Sequence, residues 1–182
     1  MKKRILTWLL AISMLGSLLT VPAGAAAVTK FSDVSDSYTA TAVESLRLMG
    51  VLDGYGDGTF RPDTVLNRAQ FCKMAVYAMD GSGELGRYST VTIFPDVKPS
   101  HWASAYINMA ARKGIISGFA DGKFKPGQTV TAGQAVTILM RGLGYKDEDM
   151  GGVWPQSYMA EAQTNGLLKS TGITSAYAGL TR

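Results

Sequence analysis

Tyr55-Gly56-Asp57-Gly58-Thr59-Phe60-Arg61-Pro62 recurs 64 residues later as Phe119-Ala120-Asp121-Gly122-Lys123-Phe124-Lys125-Pro126. Each copy holds an Asp-Gly pair, a tight-turn signal because Gly takes positive φ without a Cβ clash. The Phe that follows each turn, Phe60 or Phe124, is expected to plug the core. The match extends outward. Phe31-Ser32-Asp33-Val34 returns as Phe94-Pro95-Asp96-Val97, and Gly50-Val51-Leu52 as Gly114-Ile115-Ile116. Leu66-Asn67-Arg68-Ala69-Gln70 returns as Val130-Thr131-Ala132-Gly133-Gln134. A fixed period of this kind marks a repeat architecture, in which neighbouring units bury each other's apolar faces.

A third, degraded copy follows. Trp102 to Tyr106 aligns with Trp154 to Tyr158, Gly114-Ile115-Ile116 with Gly166-Leu167-Leu168, and Leu66-Asn67-Arg68 with Leu180-Thr181-Arg182. This copy has neither the Phe-x-Asp-Val opening nor the aromatic-x-Asp-Gly-x-Phe segment. The expected organisation is repeat one over 30–80, a Gly- and Ser-rich linker over 81–93, repeat two over 94–145, and a truncated repeat three over 146–182.

Each full repeat reads as helix, loop, helix, so the fold class is all-α. First helices are expected over about 40–49 and 103–112, each followed by a Gly suited to a left-handed C-terminal position. Second helices begin after Asn67 and Thr131, where Asn67 with Gln70 and Thr131 with Gln134 form capping boxes. Phe71, Met74, Ala75 and Ala78 then fall on one stripe at helical spacing, matched by Ala135, Ile138, Leu139 and Gly142.

Residues 1–25 read as a secretory signal helix. Lys2, Lys3 and Arg4 precede an uncharged apolar run from Ile5 to Val21, and Ala23-Gly24-Ala25 offers a small-x-small cleavage site. Taking those three bases from the chain's 18 leaves 15 against 14 acids. The remainder is nearly neutral, which argues against a nucleic-acid partner, since that needs a clustered basic face. No later segment is apolar enough to span a membrane, so no membrane association is expected after cleavage.

The repeated string resembles the S-layer homology family, over about 30–182. Gly54-Tyr55-Gly56-Asp57-Gly58-Thr59-Phe60-Arg61-Pro62-Asp63 is its most specific stretch. The resemblance implies a pseudo-threefold helical arrangement with an incomplete third repeat. It further implies non-covalent attachment to a secondary cell-wall polysaccharide, often bearing a pyruvylated amino sugar, in a bacterium with a Gram-positive-type envelope. In the family's Thr-Arg-Ala-Glu motif the Arg binds polymer. Here Asn67-Arg68-Ala69-Gln70 keeps it, Thr131-Ala132-Gly133-Gln134 lacks it, and Thr181-Arg182 keeps it. A ketal carboxylate accepts two parallel hydrogen bonds from a guanidinium, so Arg68 is the leading ligand residue, the alternative being a solvated helix-end charge. The groove depending on Ala132 is expected to bind weakly. Asp33 and Asp96 are candidates for sugar hydroxyls or for organising the start of the first helix. Trp102 is a candidate for stacking on a sugar or for packing between helices. Asn67 and Thr131 are caps first and ligand contacts second, and Thr181 and Arg182 are further candidate contacts. Self-association through the incomplete third repeat is also expected. The alternative function is the anchor end of a larger exported enzyme.

Other chemistry is poorly supported. Aligning Gly58 with the invariant Gly of a calcium loop puts Tyr55 and Thr64 where oxygen ligands and Glu are needed. Gly122 fails in the same way, with Phe119 and Gln128 in those places. One cysteine, Cys72, and one histidine, His101, exclude a disulfide framework and a Cys/His zinc site. Cys72 lies in an apolar helix and reads as a small buried hydrophobe. His101 reads as a surface or capping residue. No metal, cofactor or catalytic residue is expected.

Overall fold

The computed structural model describes residues 30–80, 83–169 and 171–182. The expected signal helix over 1–25 lies outside them. The described chain is helical: α1 (Ser37–Leu48), α2 (Arg68–Asp80), α3 (Ser104–Arg112), α4 (Ala132–Gly142) and α5 (Gln156–Thr164). Short 3₁₀ turns sit at Leu85–Tyr88 and Asp147–Asp149. Among the described residues there are isolated β-bridges but no strand.

Those bridges close the molecule on itself. The Leu66 N–H donates to the Leu180 carbonyl (2.8 Å), Leu180 to Val130 (3.0 Å), and Val130 to Leu66 (3.0 Å). A second set lies beside it: Arg68 N–H to Gln128 O (2.9 Å), Ala132 N–H to Ala178 O (2.8 Å), and Arg182 N–H to Thr64 O (3.0 Å). Every repeat therefore donates to one neighbour and accepts from the other, which is the expected pseudo-threefold arrangement. Val130 is fully buried and Leu66 nearly so, so these bonds are shielded from competing water. Around this centre α2 packs on α3 and α4, and α4 packs on α5. α1 has a small core of its own, which Met74 of α2 joins. It buries Ala40 and Val43 against Phe31, Val34, Leu52 and Phe60, and leaves Tyr38 and Leu48 exposed.

Local signals behave as their chemistry requires. Asn67 Oδ1 accepts from Gln70 N–H (2.9 Å) and Gln70 Oε1 accepts from Asn67 N–H (3.0 Å). Thr131 and Gln134 make the same reciprocal cap. Gly50 and Gly114 follow the first helices, both at φ 71°. The buried stripes are rotated from the expected ones: Ala78 and Leu139 face outward, while Cys72 and Val76 on α2, and Val136 and Met140 on α4, are buried. Two-sided packing accounts for the added buried residues, because α2 and α4 each touch two other helices and their apolar arc is wider than one stripe. Cys72 is wholly buried, and burial pushes its thiol up to about 12.

The Asp-Gly loops are held by the Asp of Phe-x-Asp-Val. Asp33 accepts from the N–H groups of Phe60 (2.7 Å) and Arg61 (2.6 Å), and Asp96 from those of Phe124 (2.9 Å) and Lys125 (2.7 Å). Arg61 and Lys125 both sit at φ 58°, left-handed backbone that costs a residue with a Cβ about 1–2 kcal/mol. The clamp carries that strain and seats Phe60 and Phe124 against Phe31 and Phe94, with ring centroids 5.6 Å apart in both copies. Neither Asp organises the start of α1 or α3. On α1 that role falls to Asp36, which accepts from Thr39 N–H at 2.7 Å. Glycine is needed where the first Phe ring meets the loop, because a Cβ on Gly118 would lie 2.5 Å from the Phe94 ring at a φ of 73°.

These clamps make stability fall in acid. The Phe60 and Arg61 N–H groups hold Asp33 below the ordinary 3.8. Partial burial raises Asp96, but the bonds from Phe124 and Lys125 outweigh it and the net shift is also down. A carboxyl whose pKa is lower folded than unfolded binds its proton less well in the native state, so its stabilisation is complete above 3.8 and lost as pH drops below it. The thermal midpoint is expected to hold level from neutral pH to just above 3.8 and then fall. Asp96→Ala is expected to cost about 2 kcal/mol at neutral pH, and to flatten the acid limb of a midpoint-against-pH curve.

Candidate functional site

The central ring of hydrogen bonds decides where Arg68 goes. As the first residue of α2, it hydrogen-bonds its backbone to Gln128 of the next repeat, and its side chain goes the same way. Nε donates to the Phe124 carbonyl (2.8 Å) and Nη1 to Gln134 Oε1 (3.1 Å). The guanidinium carbon lies 4.5 Å and 4.6 Å from the ring centroids of Phe119 and Phe124, within cation–π range. Arg68 is only 5% exposed, and among the described residues no carboxylate pairs with it. Burial brings its pKa down to about 10, so it stays charged at neutral pH.

Arg68 opens on a cavity of about 470 Å³. One wall is Gly118 and Phe119 of the repeat-two loop, a second is Gln134, Thr137 and Arg141 of α4, and a third is Trp154 and Tyr158. Trp154 is half exposed, and its Nε1 donates to Thr137 Oγ1 at 3.0 Å, which fixes the ring. At the last turn of α4, Arg141 makes a two-pronged ion pair with Asp147: Nε to Oδ1 at 2.9 Å and Nη2 to Oδ2 at 2.8 Å. The Tyr158 hydroxyl donates to the same Oδ1 at 2.6 Å. That hydroxyl, against the cost of partial burial and with Arg141 adding to it, holds Asp147 below the ordinary carboxylate value.

Arg182 occupies the corresponding position on repeat one. Its Nη2 donates to the Asp53 carbonyl at 2.6 Å, and its guanidinium lies 4.8 Å from the Tyr55 ring and 4.7 Å from the Phe60 ring. The third position has Ala132, fully buried and without a cation. Thr181 bridges to Val65, and Thr131 caps α4. Trp102 is 56% exposed and stacks on His101, with ring centroids 5.7 Å apart, so it is a surface platform and not helix packing. His101 also caps locally, its Nδ1 accepting from Ala103 N–H at 3.1 Å. Both oxygens of Asp33 and of Asp96 are engaged by the loops; Asp96 makes no ion pair with Arg68 but lies close enough to favour its charge. Sequence reasoning passed over Arg141, Asp147 and Tyr158. Tyr158 aligns with Tyr106 and Arg141 with Tyr77, but Asp147 lies in a stretch with no repeat partner.

Two stretches, 30–72 and 93–136, match the model of the S-layer homology domain. The chain carries two S-layer homology domains. It is similar to a cell surface protein of Thermoanaerobacter kivui, 38% identical over 160 residues that cover 86% of this chain and 20% of the relative. It is also similar to the middle cell wall protein of Brevibacillus brevis, 32% identical over 146 residues, 79% of this chain and 14% of the relative. A cellulosome-anchoring protein of Acetivibrio thermocellus is 31% identical over 115 residues, 62% of this chain and 26% of the relative. The chain thus spans about a quarter or less of the length of these curated relatives. S-layer homology domains are surface-anchoring modules, and they place the chain at the bacterial cell wall. Among the described residues, no helix is long and apolar enough to cross a membrane, and no His, Cys, Asp and Glu group could hold a metal ion.

The exposed platform and the core respond differently to truncation. Trp102→Ala is expected to change stability by no more than about 1 kcal/mol, as at most exposed positions. Ile107→Ala, in the nearby helix α3 and fully buried, is expected to cost about 2–5 kcal/mol. Chemical denaturation of the two variants beside the parent checks the contrast.

Proposed function

We propose that this chain anchors an exported protein by gripping an anionic secondary wall polysaccharide in the Arg68 cavity. The observation that carries this reading is a buried guanidinium with no carboxylate partner, facing an open cavity. An unpaired buried charge costs several kcal/mol, and an incoming anion offsets that cost. Arg68 has donors to spare: Nε and Nη1 hold it in place, while Nη2 has no acceptor among the described residues. A carboxylate on a sugar ketal fits that demand, because it takes two parallel hydrogen bonds from one guanidinium. The Trp154 ring beside it supports a sugar over a free small anion, since the ring offers a flat apolar face. Arg182, on Tyr55 and Phe60, is proposed as a second gripping point. We assign no grip to Ala132.

Co-sedimentation with purified wall sacculi tests this. The parent chain is expected to pellet with intact sacculi and to stay in solution once the secondary polymer is chemically stripped. Arg68→Met, which keeps the apolar stem and removes the fork, is expected to weaken binding by at least about tenfold, the value of one charge-assisted hydrogen bond. Equal pelleting of a folded Arg68→Met variant, or undiminished pelleting with stripped walls, sinks the proposal.

A further inference from the structure

Asp147 brings an ionised carboxylate to the same cavity as Arg68, and that carboxylate is not fully used. A carboxylate offers about four acceptor sites. Oδ1 takes two donors, Arg141 Nε and the Tyr158 hydroxyl, and Oδ2 takes one, Arg141 Nη2. One acceptor site therefore remains, on Oδ2. The holder is recessed and the held group is not: the Arg141 side chain is 13% exposed and that of Asp147 69%. Arg141 is itself fixed from the other side, where Nη1 donates to Ser117 Oγ at 3.3 Å.

The placement matches a sugar. Arg68 is bonded to Gln134 in the first turn of α4, and Asp147 to Arg141 in the last. Seven residues of helix separate those two anchoring positions by roughly 10 Å along the axis, so the two groups enter the cavity from opposite ends of α4. Between the repeats, Trp154 presents its half-exposed ring to the same space. An apolar wall with a few fixed polar groups is the usual make-up of a site that orients a small ligand.

We propose that Asp147 accepts a hydroxyl of the sugar whose acidic group Arg68 holds, with Arg141 and Tyr158 keeping the carboxylate aimed; the inference rests on reading this cavity as an anionic-glycan site. The contact belongs to this site alone. The counterpart of Arg141 in repeat one is Tyr77, whose hydroxyl lies 3.3 Å from that of Tyr106, and Asp147 has no repeat partner there. A carboxylate already ionised and already oriented accepts a hydroxyl with little ordering cost.

A two-way cycle tests it by calorimetry on the full chain. The probes are the methyl glycoside of an N-acetylhexosamine carrying a pyruvate ketal, and its counterpart lacking the free ring hydroxyl. The proteins are the parent, Asp147→Ala, Asp147→Asn and Arg68→Met, each checked for a cooperative thermal transition. Removing the hydroxyl is expected to weaken binding about tenfold in the parent and less than about twofold in Asp147→Ala. Asp147→Asn, which keeps an oxygen and loses the charge, is expected to fall between. An equal cost in parent and Asp147→Ala, with binding still dependent on Arg68, overturns the Asp147 contact alone. No binding of the ketal glycoside by the parent, or binding unchanged in Arg68→Met, overturns the anionic-glycan reading and the Asp147 contact with it.

Discussion

Three backbone hydrogen bonds, Leu66 to Leu180, Leu180 to Val130 and Val130 to Leu66, hold residues up to 114 positions apart at one point. Each repeat contributes one donor and one acceptor, so none of the three is closed without the other two. The apolar side chains at the ring exclude water, which otherwise competes for the same groups. The residues just after each ring position are then fixed in space. The capped start of α2 lies on the loop of repeat two, the start of α4 on the 176–178 segment, and Arg182 on the loop of repeat one.

That handing of each helix start to the next repeat explains the site. An Arg at the start of a helix is ordinarily a solvated charge, and at that end the helix dipole is unfavourable to a cation. Here the ring carries Arg68 off its own helix and onto two aromatic rings of another repeat, where it is desolvated and still charged. The aromatic-x-Asp-Gly-x-Phe loop must hold its shape for this to work. The Asp33 and Asp96 clamps give it that shape by satisfying two N–H groups beside a strained residue. The same loops thus serve the core through Phe60 and Phe124, and the site through Tyr55 and Phe119.

Much of this was legible in the residues. The period, the caps at Asn67 and Thr131, the Gly after each first helix and the buried Phe60 and Phe124 are local chemistry, and local chemistry can be read from neighbours in sequence. The pseudo-threefold arrangement was reached through family resemblance and not from spacing. Asp33 and Asp96 illustrate the limit: their partners lie 27–29 residues away, so spacing could not separate a loop clamp from a helix cap or a sugar contact. Cys72, Val76, Val136 and Met140 joined the core because a helix with two neighbours buries a wide arc and not one stripe. Spacing left Trp102 open between a sugar platform and helix packing, and in the fold it stacks on His101 at the surface. Asp147 has no repeat partner in sequence, and only the position of Arg141 and Tyr158 in space gives it a role.

The central claim is that Arg68, a buried cation with no carboxylate paired to it, is a grip for a wall anion. The most direct test is a crystal structure of the chain with a ketal-bearing fragment of the wall polymer. The account predicts a carboxylate oxygen within about 3 Å of Arg68 Nη2, with Nε and Nη1 still on Phe124 and Gln134. A fragment bound elsewhere, with the Arg68 cavity holding only solvent, would contradict it.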